Sequence, residues 1–89
     1  MEHPVHKQMV GNNISVNSDK ITGEVYNPND YKIDSAMVTV VFRDANGNIV
    51  SSEVEFVDQI PSNGSIPFDI SLASDAKTTD KVEVYAYIW

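Results

Sequence analysis

Residues 36–50 have the sequence AMVTVVFRDANGNIV, and this stretch decides the fold. Its first half is apolar on both alternating faces, which is typical of a central β-strand covered by protein on each side. Asp44 and Gly47 then occupy the positions that a type I turn followed by a left-handed residue requires. The stretch therefore predicts a strand over residues 36–44, a tight turn and an antiparallel strand over residues 49–57.

The composition extends this prediction to the whole chain. The 89 residues, 42% of them hydrophobic, suffice for one compact domain. They include 12 Val and 8 Ile but a single Leu. Because β-branched side chains fit a pleated sheet better than a helix, the chain is predicted to be all-β.

Alternating apolar and polar residues predict further strands on both sides of the hairpin. These strands are expected at residues 14–16, 20–27, 65–72 and 81–89. Pro67 favours an edge position for its strand, because proline cannot donate a hydrogen bond to a neighbour. Six or seven short strands joined by regularly spaced turns predict an immunoglobulin-like antiparallel β-sandwich.

The sandwich is expected to span residues 13–89. Residues 1–12 mix polar residues with proline and show no sustained period. They are interpreted as a flexible N-terminal tail that joins the fold near Met9 or Val10.

Several segments of the chain, taken in order, resemble the FxLYD domain, a small immunoglobulin-like module of archaeal and bacterial proteins. The matching segments are residues 23–27, 38–44, 46–50, 60–64 and 67–70. In the motif that names the family, Val40 replaces Phe, Phe42 replaces Leu and Arg43 replaces Tyr, while Asp44 is retained. The resemblance covers residues 14–89 and implies a sandwich fold outside the cytoplasmic membrane, within a larger envelope or secreted protein. It implies no catalytic residue.

The net charge of −7, from 13 acidic and 6 basic side chains, argues against nucleic acid or an anionic membrane surface as a partner. The absence of cysteine excludes disulfides, cysteine-ligated metals and thiol nucleophiles. No apolar run is long enough for a membrane span, and the N-terminus lacks the apolar core of a signal peptide. An extracellular or cell-surface location therefore requires an exporting or anchoring segment outside this chain.

Residues suited to acid–base catalysis are few. His3 and His6 lie in the predicted tail, where nothing holds them beside a nucleophile. Glu53 and Glu55 share one face of the strand after the turn. That face is expected to be solvated, with Val50, Val54 and Phe56 on the opposite face, so the pair is interpreted as surface charge. The sequence predicts a protein that is not an enzyme and binds no cofactor.

Three groups of residues could hold a metal ion. The amino-terminal Met1-Glu2-His3 could take square-planar Cu(II) or Ni(II), but Met1 is better interpreted as the start of a shortened chain. Residues 44–48 resemble half of a calcium-binding loop, yet the glycine comes too early in it and a turn explains them. A looser oxygen cage could form from Asn29, Asp30 and Asp34 at one end of the sandwich.

The most informative feature for function is an aromatic row at the end of the chain. Tyr85, Tyr87 and Trp89 occupy alternate positions of the last predicted strand and therefore one face. Exposed, such a row forms a sugar-stacking platform or an anchor for a protein partner. The simpler alternative is that the three rings pack over the rim of the sheet or within the core.

The sequence thus predicts a non-catalytic immunoglobulin-like module that acts as a spacer or an interaction domain of a larger extracytoplasmic protein. Its partner would be another protein or another domain of the same chain. The alternative is a carbohydrate-binding accessory domain that uses the aromatic row.

Overall fold

Six strands make up the fold in the computed structural model, which describes residues 7–17, 19–73 and 77–89. The strands are β1 (Val10–Val16), β2 (Lys20–Tyr26), β3 (Ile33–Arg43), β4 (Ile49–Ile60), β5 (Ser65–Ser71) and β6 (Lys81–Ile88). They form two antiparallel sheets, in the orders β1-β2-β5 and β4-β3-β6. The sheets pack face to face, so the predicted all-β sandwich is confirmed, with six strands. No helix of membrane-spanning length and hydrophobicity occurs among the described residues.

The two central strands supply most of the core. Val38, Val40 and Phe42 of β3 have no exposed surface, and neither have Ile21 and Val25 of β2. β3 lies between β4 and β6, so its predicted central position in the sheet is confirmed.

In the other sheet, a glycine of β2 makes room for an aromatic ring of β5. Gly23 of β2 pairs with Phe68 of β5. A Cβ atom on Gly23 would lie 2.8 Å from Cζ of Phe68 and 2.6 Å from Cδ1 of Ile14. The phenylalanine ring therefore lies over the glycine, and a larger residue would displace it.

The turn between β3 and β4 has the predicted geometry. The amide of Gly47 donates to the carbonyl of Asp44 at 3.1 Å, and Gly47 has a φ of +86°. The amide of Asp44 donates in turn to the carbonyl of Asn48 at 2.9 Å. The pairing then shifts, because Phe42 pairs with Ser51 but Arg43 pairs with Ile49. Residue 50 is the extra residue of a β-bulge.

This bulge reverses the predicted faces of β4. Val38 pairs with Glu55 and Val40 with Glu53, so both glutamates lie on the inner face of the sheet. Val54 and Phe56 lie on the outer face and are about half exposed, at 51% and 50%. The prediction that Val54 and Phe56 face the core is therefore wrong. Of the three residues predicted to share that face, Val50 alone packs against the core. One extra residue moves every later side chain of the strand to the other face.

Inward glutamates are tolerated because β4 is an edge strand, where inner positions still reach water at the open side of the sandwich. Charges that point inward on an edge strand also oppose pairing with another chain, since pairing would bury them. Glu55 further protects this edge, because its carboxylate accepts a hydrogen bond from the free amide of Phe56 at 2.9 Å.

Replacing Glu53 by valine is therefore expected to promote self-association along β4. The added apolar surface should also raise the free energy of unfolding by up to about 1 kcal/mol. Sedimentation velocity and urea unfolding measure the two effects. The matched control is Glu24→Val, which removes the same charge from the central strand β2 and should leave the chain monomeric. Equal association of both variants would contradict this role of the inward glutamate.

The N-terminal segment belongs to the fold from Met9 onward. Met9 is 5% exposed and forms a β-bridge with Ala86, and β1 begins at Val10. The strand thus starts three residues before the expected boundary between residues 12 and 13. β1 lies close to β6 here, since a Cβ atom on Gly11 would lie 2.7 Å from Cγ1 of Val84. Apolar contact of Met9 with the core explains why the polar residues around it are ordered into a strand.

Two buried asparagines join the loops at one end of the sandwich. Asn27 is fully buried, and its amide nitrogen lies 2.8 Å from the carbonyl of Tyr31 and 3.1 Å from that of Pro61. Its side-chain oxygen accepts from both the backbone and side-chain nitrogens of Asn29. Asn29 in turn exchanges hydrogen bonds with the backbone of Lys7. The side chains of Asn27 and Asn29 together therefore hold three segments of the chain.

Candidate functional site

The outer face of the sheet β4-β3-β6 carries a continuous group of apolar and aromatic side chains. Met37 at the centre pairs with Phe56 on one side and Tyr87 on the other. Thr39 likewise pairs with Val54 and Tyr85. Directly opposed residues share a face, so these side chains lie next to one another. The aromatic face is defined here as Met37, Val54, Phe56, Tyr85, Tyr87 and Trp89.

The aromatic face is open to solvent. Tyr85, Tyr87 and Trp89 are 38%, 48% and 72% exposed. The rings of β6 therefore do not belong to the core, which receives Val84 and Ala86 from the opposite face of the same strand. The alternation predicted for the last strand is confirmed.

Two ring pairs fix the geometry of the face. The rings of Phe56 and Trp89 meet edge to face, with centroids 5.2 Å apart at 67°. The rings of Tyr85 and Tyr87 lie nearly parallel, at 16° with centroids 6.5 Å apart. Such contacts restrict the rotamers of the rings before any ligand arrives, which lowers the entropy cost of binding.

The contribution of β4 to this face was missed by sequence reasoning. An unbroken alternation of side chains from residue 50 predicts that Val54 and Phe56 face the core. The turn does not signal this change, because the bulge that accompanies such a turn lies at Gly47 itself, whereas the extra residue of β4 is Val50.

A polar network borders the face near the hairpin. Nε of Arg43 donates to Oε1 of Glu83 at 2.9 Å, and the hydroxyl of Tyr85 donates to the same oxygen at 2.7 Å. The bonds from Tyr85 and from Arg43 lower the pKa of Glu83, and the bond to Glu83 raises the pKa of Tyr85. The phenol therefore stays neutral and oriented. Because the network is solvated, it contributes more to geometry than to stability.

At the opposite end, the face runs into a shallow cavity of about 240 Å³. Its lining includes the rings of Trp89 and Tyr31 and the polar residues Asp34 and Ser35. The amide of Trp89 donates to the carbonyl of Ser35 at 3.0 Å, which fixes the end of the chain there. The volume is below the range of roughly 300–1,000 Å³ that is typical of small-molecule sites. The cavity suits one side chain or one ring better than a whole metabolite.

The three candidate calcium ligands, Asn29, Asp30 and Asp34, differ in burial and in hydrogen-bond partners. Asn29 is buried, and its oxygen accepts a hydrogen bond from the amide of Lys7 at 2.6 Å. Asp30 is exposed, and Asp34 lies 3.4 Å from the ammonium of Lys32. Within the described residues, no three His, Asp or Glu side chains come close enough to hold a metal ion. The proposed copper site at residues 1–3, and His6, lie outside the described residues.

The other calcium candidate, residues 44–48, is held together by its own amides. Oδ1 of Asp44 accepts from the backbone nitrogens of Asn46 and Asn48 at 2.9 and 3.0 Å. The bond from the Asn48 backbone is the largest cause that lowers the pKa of Asp44 below its ordinary value of 3.8. The carboxylate thus acts as the internal acceptor of the turn.

The stability contributed by Asp44 is expected to be lost on acidification. A carboxyl group whose pKa is lower in the folded state stabilises the fold above its unfolded pKa, and this stabilisation disappears as the pH falls through the folded value. An NMR titration of the Asp44 carboxyl should give a midpoint below 3.8. In urea unfolding between pH 6 and 2, Asp44→Asn should show a shallower loss of stability than the unmodified chain. A midpoint at or above 3.8 would contradict the assignment.

Comparison with protein-family models, with curated proteins and with solved structures finds no match to this chain.

Proposed function

We propose that this chain is a non-catalytic immunoglobulin-like module that binds another protein through the aromatic face. The observation that carries the proposal is the difference between the two outer faces of the sandwich. The outer positions of the other sheet include Thr22 and Glu24 on β2, and Asp69 and Ser71 on β5. Apart from Val10, Tyr26 and Pro67 at one end, that face is polar, as a solvated sheet face ordinarily is. Exposed aromatic side chains on β4 and at the end of β6, with Met37 of β3 between them, instead favour an interaction surface.

The charge around the aromatic face supports a protein partner. The chain carries a net charge of −7, yet the charged residues on this outer face are two cations, Arg43 and Lys81, and two anions, Asp58 and Glu83. The surface is therefore locally close to neutral. An apolar centre with a mixed polar rim is the usual composition of a protein interface.

The setting of the module rests on the resemblance to the FxLYD domain. Residues 14–89 carry that resemblance, which favours a place outside the cytoplasmic membrane within a larger envelope or secreted protein. In such a protein the module would connect neighbouring domains as well as bind a partner.

Site-specific photo-crosslinking in the cell of origin tests the proposed interaction. Benzoylphenylalanine in place of Phe56 should give a discrete polypeptide adduct. The control position is Val10, which is similarly exposed, at 47%, on the outer face of the other sheet. No adduct at position 56, or equal adducts at both positions, would contradict the proposal.

A carbohydrate ligand is the second candidate function. The nearly parallel rings of Tyr85 and Tyr87 form a flat surface beside Trp89, and flat aromatic surfaces suit stacking against sugar rings. Titration of soluble polysaccharides should then shift the fluorescence of Trp89, the single tryptophan of the chain, and Tyr87→Ser should weaken the response. An unchanged spectrum with every glycan would remove this candidate.

A further inference from the structure

The sandwich has four edge strands, and three of them carry features that oppose pairing with another chain. On β5 the feature is Pro67, which lacks an amide hydrogen. On β1 it is a bulge between Asn12 and Ser15, with Asn13 in the left-handed region at a φ of 54°. On β4 it is the inward-facing pair Glu53 and Glu55. Natural sheets use these devices to block strand addition.

The fourth edge strand, β6, has none of these features. Its pairing with β3 is regular from Lys81 to Ile88, without a bulge, and the strand contains no proline. Its inward side chains are all apolar, namely Val82, Val84, Ala86 and Ile88. Val82 and Val84 are only partly buried, and Ile88 is 44% exposed. The core is therefore incompletely covered along this edge.

The backbone of β6 also offers hydrogen-bonding groups at this edge. The amide of Trp89 donates to Ser35, so the odd-numbered residues at this end direct their peptide groups towards β3. The even-numbered residues then direct theirs towards the free edge. The carbonyl of Ala86 accepts a hydrogen bond from the side chain of Gln8 there. Within residues 7–17, 19–73 and 77–89, the bridge from Met9 to Ala86 is the only strand pairing on this side.

We propose that the free edge of β6, around Val82 and Val84, accepts an extended segment of a partner polypeptide as an added strand. This inference rests on the proposed interaction role and names the form of the partner. Main-chain hydrogen bonds would hold the segment, and alternate apolar side chains would cover the half-buried valines. An immunoglobulin sandwich of seven strands has a strand at the equivalent place, beside its strand F.

The charge of the chain further specifies the partner. Two copies that each carry a net charge of −7 repel one another, which disfavours β6 of a second copy as the added strand. The segment is therefore neutral or basic, with apolar residues at every second position. Met9 bridges Ala86, and Gly11 lies against the side chain of Val84. The segment is therefore confined to the part of β6 up to Val84, with Val82 at its centre.

Amide hydrogen exchange of the full 89-residue chain tests this proposal, with the synthetic peptide TVKVTVK as the probe. At saturating peptide, exchange of the Val82 and Val84 amides should slow at least tenfold. The amides of Ser52 and Val54, at the free edge of β4, are the internal control and should not change. The peptide TPKPTPK, which has the same charge but lacks half of the amide donors, should have no effect.

Several outcomes would overturn the proposal. These are unchanged exchange at Val82 and Val84, equal slowing at the edge of β4, or slowing by the proline peptide. Slowing that appears with rising protein concentration and no peptide would show that a second copy occupies the edge instead. Crosslinking at Phe56 is independent of these results because position 56 is on β4, so failure of the added strand is distinguishable from failure of the aromatic face as a binding surface.

Discussion

Replacing Asn27 by alanine is expected to lower the free energy of unfolding by about 3 kcal/mol. The Asn27 side chain has no exposed surface. Its removal takes hydrogen-bond partners from the carbonyls of Tyr31 and Pro61 and from both nitrogens of Asn29. Each buried polar group left without a partner costs about 1–3 kcal/mol, and relaxation of the loops recovers part of the sum.

Urea unfolding measures this effect. The control is Asn12→Ala, which removes an exposed asparagine from β1 and should change the free energy of unfolding by less than about 0.5 kcal/mol. The detachment of Lys7 from Asn29 should appear as faster exchange of the Lys7 amide in Asn27→Ala. A loss below about 1 kcal/mol would contradict the role given to this side chain.

Replacing Phe42 by alanine is expected to have the largest effect, a loss of about 4 kcal/mol, because it leaves a cavity between the sheets. Phe42 is among the largest side chains that are fully buried. A domain of this size has a total stability of roughly 4–13 kcal/mol. Phe42→Ala should therefore lose about a third or more of the stability of the fold, which urea titration followed by circular dichroism detects.

Phe56→Ala is the matched control for this variant. It removes the same ring from the outer face, where the side chain is half exposed, and should cost about 1 kcal/mol through loss of the contact with Trp89. The comparison also tests the corrected assignment of β4. If Phe56 were a core residue, as simple alternation predicts, the two variants would be destabilised to a similar extent.

The sequence predicted the parts of the fold that depend on local patterns. The alternation of β2, β5 and β6 was followed by the structure, and the hairpin at Asp44 and Gly47 formed as its turn residues indicate. The faces of β4 were predicted wrongly because one extra residue in a bulge has no signature in the alternation itself. The bulge lies beyond the turn, and only the register with β3 shows that Val50 is the extra residue.

The candidate site was predicted in part for the same reason. Tyr85 and Tyr87 were placed on one face by simple alternation, but Val54 and Phe56 belong to a strand distant in sequence. The interior role of Asn27 was not foreseen either. Its partners are backbone carbonyls of two separate loops, and carbonyl positions leave no trace in residue type.

We expect a partner to cover the aromatic face in the cell. Hydroxyl-radical footprinting of the chain, isolated and in its cell of origin, tests that claim most directly. In the isolated chain Phe56, Tyr87 and Trp89 should be modified rapidly, in line with their exposure. In the cell their modification should slow several-fold relative to Val10 and Pro67, which lie on the other sheet. Unchanged rates at the aromatic face, or equal slowing on both sheets, would contradict the claim.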